Sequence, residues 1–167
     1  MEAIAHRAGA SKATVYRHWR SPGELLVDAM DLSFQPFPTP ATGHLRTDLI
    51  ELVSRAEALF ADQTYPRLMA AFIDAAERDP ALKQLHVKLT ERRREPVREV
   101  LGRAQQRGEI PAGADSELAV DLLAGPFFYL RFIAHRPFPR GYSSAIVDHV
   151  LTALSFTAER PARDLRS

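Results

Sequence analysis

The chain has 167 residues, 46% hydrophobic and 26% charged, with a formal net charge of +1. That balance excludes a disordered chain and describes a folded one, while the overall charge singles out no partner. It contains no cysteine, which excludes disulfides, thiolate metal sites and cysteine nucleophiles together and fits a cytoplasmic protein.

Apolar residues recur at helical spacing almost throughout, so the fold class expected is all-α. The first helix is predicted over Glu2–Ala8, where Glu2, His6 and Arg7 stand in place of the apolar core of a secretory leader. Gly9 should end it in a left-handed cap. Ser11 fits the N-cap of a second short helix with Val15 and Trp19 on its inner face. Ser21 and Pro22 repeat the start signal for a third helix through about Phe34, with Leu25, Leu26, Ala29, Met30 and Phe34 as its buried stripe. QPFPTPATG (Gln35–Gly43) carries three prolines in five residues and cannot continue a helix.

A domain boundary is therefore expected there: residues 1–35 as a head, 36–43 as a hinge, 44–160 as a longer helical body and 161–167 as a polar tail. Within the body, helices are predicted over about Leu45–Ala61, Pro66–Glu77 and Pro80–Arg107, the last kinked or split by Pro96. Asp115 or Ser116 should cap another running to about His135, and a final helix is predicted from Ser143 to Ala158. The most apolar run, Leu118–Leu130, is interrupted by Asp121 and falls short of the ~20 residues of a membrane span, so no membrane partner is expected.

From Ala3 to Gly23 there is no acidic residue, whereas Arg7, Lys12, Arg17 and Arg20 fall there with His6 and His18. Cations gathered around a glycine turn between two short helices have the sequence form of a helix-turn-helix facing nucleic-acid phosphate. Ile4 and Ala8 are expected to pack against Val15 and Trp19. Lys12, Ala13, Tyr16 and Arg17 then turn outward with Thr14, His18 and Arg20 beside them. Lys12 and Arg17 are long donors suited to guanine or phosphate, and Ala13 permits close approach to a thymine methyl. The competing reading is a solvated cationic surface over an ordinary glycine turn.

IAHRAGASKATVYRHWRSPGELL (Ile4–Leu26) resembles the DNA-binding signature of the tetracycline-repressor-like (TetR) family of transcription regulators, with Ile4, Ala5, Gly9, Ser11, Tyr16, Trp19, Leu25 and Leu26 at matching places. More loosely, Arg107–Phe132 resembles the last third of many such effector domains. The resemblance implies Lys12 on bases and Thr14, Tyr16 and His18 on the phosphates of a double-stranded operator. It also implies a body that binds a small-molecule effector and forms a homodimer. Pro22 replaces the basic residue that the family usually carries after the recognition helix, so that contact is lost or passes to Arg20. The family's first helix has no counterpart before Ile4, so the sequence is expected to be N-terminally truncated.

For the effector the candidates are Phe60, Tyr65, Met69, Phe72, His86, Phe128 and Tyr129, with Arg94 and His135 nearby in the pattern. An aromatic at helical spacing is more often plain core than cavity lining, so core is the competing reading for each. For a four-helix dimer contact they are Leu118, Leu122, Phe127 and Leu130 with Ile146, Val147, Val150, Leu151 and Leu154. Intrachain core is the alternative there. The basic run KLTERRREP (Lys88–Pro96) reads as a solvated face paired with Glu91 and Glu95, or as a site for an anionic effector. No H-E-x-x-H, G-x-S-x-G, phosphate loop or E-x-x-H pair occurs, so neither an enzyme nor a cofactor or metal is expected. The function expected is a ligand-responsive transcriptional regulator, a repressor binding DNA as a dimer. The alternative is an effector-binding or scaffolding helical protein without DNA contact.

Overall fold

The computed structural model describes residues 1–33 and 37–156. Among the described residues every regular element is helical: α1 (Glu2–Arg7), α2 (Lys12–His18), α3 (Pro22–Ser33), α4 (Leu45–Ala61), α5 (Thr64–Arg78), α6 (Pro80–Arg107), α7 (Ser116–Phe128) running into a π-helical turn (Tyr129–Ile133), and α8 (Tyr142–Phe156). The all-α expectation holds. Phe34, Ala158 and the tail 161–167, all named above, lie outside the described residues.

Several helices begin where a short polar side chain satisfies an open amide. Ser11 accepts from Thr14 N, at 3.1 Å, to start α2. Ser21 accepts from Glu24 N, also at 3.1 Å, with Pro22 in the first turn of α3. Asp115 does the same for α7 through Leu118 N at 2.9 Å. Asp62 accepts from Thr64 N and Tyr65 N, at 2.6 and 3.1 Å, so α5 starts ahead of the predicted Pro66. Those two amides hold the Asp62 carboxyl below its usual range.

Two helix expectations need correction. Pro96 does not split α6, which runs unbroken from Pro80 to Arg107. One missing amide is outweighed by the burial of Val100, Leu101 and Ala104 on the following turns. The helix predicted from Asp115 to His135 ends its α-register at Phe128 and widens to a π-turn. His135 then takes a positive φ of 48° and closes the element.

The chain forms two compact units, residues 1–35 with 67–90, and residues 36–66 with 91–167. The stretch expected as one continuous body is thus shared between both. In the first unit Ala5, Val15, Met30, Met69 and Phe72 are buried, and Phe72 meets the His86 ring edge-on at 5.1 Å. The second unit packs α4 and α7 on α8, around Leu49, Leu52, Val53, Val120, Leu123, Phe127 and Val147.

Residues 37–42, expected as a hinge, are tied to that second unit. Arg55 donates to the Pro38 carbonyl at 3.1 Å and lies 5.7 Å from the Phe37 ring centroid. Arg103 donates to the Pro40 carbonyl. Thr42 gives its amide and hydroxyl to the buried carboxylate of Asp48 at 3.0 and 2.7 Å.

Candidate nucleic-acid interface

The turn between α1 and α2 works because Gly9 sits at φ 62°, a region that costs a residue with a Cβ. The phase of the two helices then buries Ala5 (2% exposed) and Val15, and leaves Ile4 38% exposed and Ala8 exposed. This corrects the packing pair read from the sequence. A six-residue helix presents one narrow face, and Ala5, one position over from Ile4, lies at its centre. Trp19 is half-buried, not fully buried, because its indole N–H donates to Asp28 at 2.8 Å.

With Val15 inside, the opposite side of α2 carries Lys12, Ala13, Arg17 and His18, all exposed, beside Tyr16 at 49%. Thr14 is half-buried and bonded through its hydroxyl to Ser11 at 2.8 Å. Arg20 is exposed, and its amide donates to Glu24 at 2.6 Å. Lys12 is paired with Glu2, both side chains well exposed. Such a pair is weak in water and gives way easily to a phosphate. Glu2, Glu24 and Asp28 were not singled out from the sequence. The S-x-x-E spacing of Ser21–Glu24 is the signal that reveals one of them.

In the second unit Phe60 meets Tyr65 at 5.1 Å, Phe127 at 6.0 Å, Phe128 at 4.8 Å and Phe132 at 6.3 Å between ring centroids. Arg93 donates to the Tyr65 hydroxyl at 2.6 Å and lies 5.3 Å from its ring centroid. Burial lowers Arg93 to about 10 and raises Tyr65. Of the other effector candidates, Tyr129 is exposed, while Met69 and Phe72 are buried in the first unit with His86 against Phe72.

Within the basic run on α6, Arg93 is bonded to Tyr65 and Arg94 is held by carboxylates, as is Arg98 just beyond the run. Arg94 reaches Asp121 and Glu117, the latter at 3.0 Å, and Arg98 reaches Glu117 at 2.6 Å and Glu91 at 2.7 Å. Among the dimer candidates, Phe127, Leu130, Ile146, Val147, Val150 and Leu154 are already buried within the chain and Leu151 half-buried. Leu118 and Leu122 face outward with Tyr129 and Ile133. No helix among the described residues is long and apolar enough to cross a membrane.

Comparison with known proteins agrees with this geometry. Residues 1–29 match the family of bacterial regulatory proteins named tetR, and residues 39–150 match the tetracyclin repressor-like C-terminal domain. An uncharacterised HTH-type transcriptional regulator of Mycobacterium bovis is 34% identical over 156 residues, which span 90% of this chain and 75% of that protein. A DNA-binding transcriptional repressor, TetR, of Mycobacteroides abscessus is 32% identical over 161 residues, 92% of this chain and 82% of that protein. The crystal structure of the TetR family transcription regulator SCO0332 superposes with a TM-score of 0.70 at 28% identity, covering 90% of this chain and 84% of that one. With a glycine-turned helix pair at the amino end and an all-helical remainder, the chain belongs to the TetR family of transcription regulators.

Proposed function

We propose that this regulator is a repressor that binds operator DNA as a homodimer through α2 and is released when its body takes up a small-molecule effector. The observation that carries the DNA reading is the orientation of α2, which buries Val15 and turns Lys12, Tyr16, Arg17 and His18 outward. That is the disposition by which a recognition helix enters a major groove. Lys12 and Arg17 then read base edges, Ala13 allows close approach, and Thr14, Tyr16, His18 and Arg20 hold phosphates.

For the dimer, the support is the outward apolar set Leu118, Leu122, Tyr129 and Ile133 along α7 and its π-turn. A two-fold pair places two recognition helices about one DNA turn apart. For the effector, the support is the aromatic pair Tyr65 and Phe128 in the second unit, both set against the packed ring of Phe60. The effector need only favour one of two states, and a differential of about 1–3 kcal/mol suffices for the coupling.

Selection from a random duplex pool, followed by anisotropy titration from 50 to 200 mM salt, tests this. The expected result is an enriched two-fold symmetric sequence whose affinity falls steeply with salt, each lost phosphate contact removing about 0.9 from the logarithmic slope. Lys12→Ala should relax base preference, whereas Tyr16→Phe should weaken all sites alike. A pool without enrichment, from a chain that still binds an apolar ligand, would favour the effector-binding protein without DNA contact.

A further inference from the structure

We propose that Asp28 is a positioning residue for sequence reading by α2: through the Trp19 indole it fixes the rotation of that helix about its own axis, and so the direction in which Lys12 and Arg17 leave it. This rests on the reading of α2 as the recognition helix, and it assigns the setting of that helix to a side chain on α3.

The need for such a hold follows from the size of α2. Its seven residues make fewer than two turns, and a helix that short takes its stability and direction from its neighbours. Val15 is the only residue of α2 that is buried. A single buried side chain acts as a pivot and leaves the helix free to roll over it. With side-chain ends ~5–6 Å from the axis, a roll of about 20° carries a donor about 2 Å sideways. A hydrogen bond to a base edge is lost over that distance.

The second point of hold is Trp19. As the C-cap of α2 it keeps its amide on the Val15 carbonyl at 2.9 Å, while an extended backbone, φ −133° and ψ 118°, sends its ring off the helix. The indole N–H of the half-buried ring then donates to Asp28 Oδ2 at 2.8 Å, across the turn and well inside α3. A carboxylate acceptor makes this a charge-assisted bond, shorter and stronger than a neutral one. Asp28 is itself firmly seated. Ahead of it Ser21 accepts from Glu24 N at 3.1 Å and Glu24 accepts from Arg20 N at 2.6 Å, closing the start of α3. Behind it Met30 is buried. Val15 and Trp19, four residues apart, thus fix both the position of α2 and its roll.

The test uses the full chain with two duplexes, the one enriched by the selection above and a shuffled duplex of the same composition. Asp28→Ala should lower the preference for the enriched duplex about tenfold, the discrimination carried by one good base contact. Trp19→Phe keeps a ring and loses the N–H, so it should lower the preference equally, and the double variant should fall no further. Asp28→Asn removes the same charge but keeps an acceptor, and should stay within about twofold of the parent. The chain has one tryptophan, so its single indole N–H resonance reads the bond directly: Asp28→Ala should move it upfield and speed its exchange. Thermal melts set an assay temperature at which every variant is folded. A purely structural role would lower the melting midpoint and leave the preference of the folded protein untouched; that outcome, or Asp28→Asn behaving as Asp28→Ala, would overturn the inference alone. A parent chain that enriches no duplex would instead overturn the reading of α2, and this inference with it.

Discussion

Phe60 was read from the sequence as an effector contact or as core, and its surroundings yield a measurable difference between the two. It is 5% exposed and lies within 4.8–6.3 Å of four other rings. Truncating a buried phenylalanine to alanine typically removes about 3–5 kcal/mol, transfer and cavity terms together. Against a total stability of about 5–15 kcal/mol, that is a large fraction. In a chain of this size about 4 kcal/mol corresponds to a fall in melting midpoint of about 8–16 °C. Phe60→Leu keeps most of the volume and loses the ring pairs, each worth about 0.5–1.5 kcal/mol, so about 2 kcal/mol is expected once the pairs are partly replaced by aliphatic contact. Urea titration and calorimetry of both variants give the two numbers. A residue lining an open cavity would cost about 1 kcal/mol or less, because few contacts are lost. A Phe60→Ala protein melting within 2–3 °C of the parent would refute the packing account.

Three further outcomes are expected. Ser11→Ala removes the side chain that accepts from Thr14 N, and should cost α2 about 1 kcal/mol. Hydrogen exchange of the α2 amides would show faster opening, and unchanged protection would count against the cap. Asp48→Ala takes away the buried acceptor of both Thr42 donors, a loss of about 3 kcal/mol for two bonds to a charged group. A wild-type melting temperature in that variant would mean that residues 37–42 are not held through Asp48. Arg98 and Arg94 bring the Glu117 carboxyl down to about 2. Its folded value is thus below the unfolded one near 4.5, so its contribution is complete above about pH 4.5 and is lost as pH falls through 2. Glu117→Gln should flatten stability against pH on that acid limb and leave neutral pH profiles parallel; an acid limb of unchanged slope would dismiss the carboxylate's role.

Some of this architecture is local, and the sequence alone determined it. Gly9, Ser11, Ser21–Pro22 and Asp115 act on amides within three or four residues of themselves, so the helix-turn-helix and the starts of α2, α3 and α7 were readable directly. The outward set Lys12, Ala13, Tyr16, Arg17 and His18 followed from the same periodicity. Which apolar residue of α1 is buried against α2 did not, because Ile4 and Ala5 differ by one position and only the crossing of α1 and α2 selects between them.

Other helix ends were decided by tertiary structure. The amide of Leu45 at the start of α4 is satisfied by Glu109, and that of Ser143 at the start of α8 by Glu57. Those carboxylates stand 64 and 86 residues away in the chain. The same holds for the dimer and effector candidates. A helical stripe such as Ile146–Val147–Val150–Leu154 states that one face must be covered. Apolar burial is non-directional, so nothing in that stripe names what covers it; only packing against α4 and α7 does.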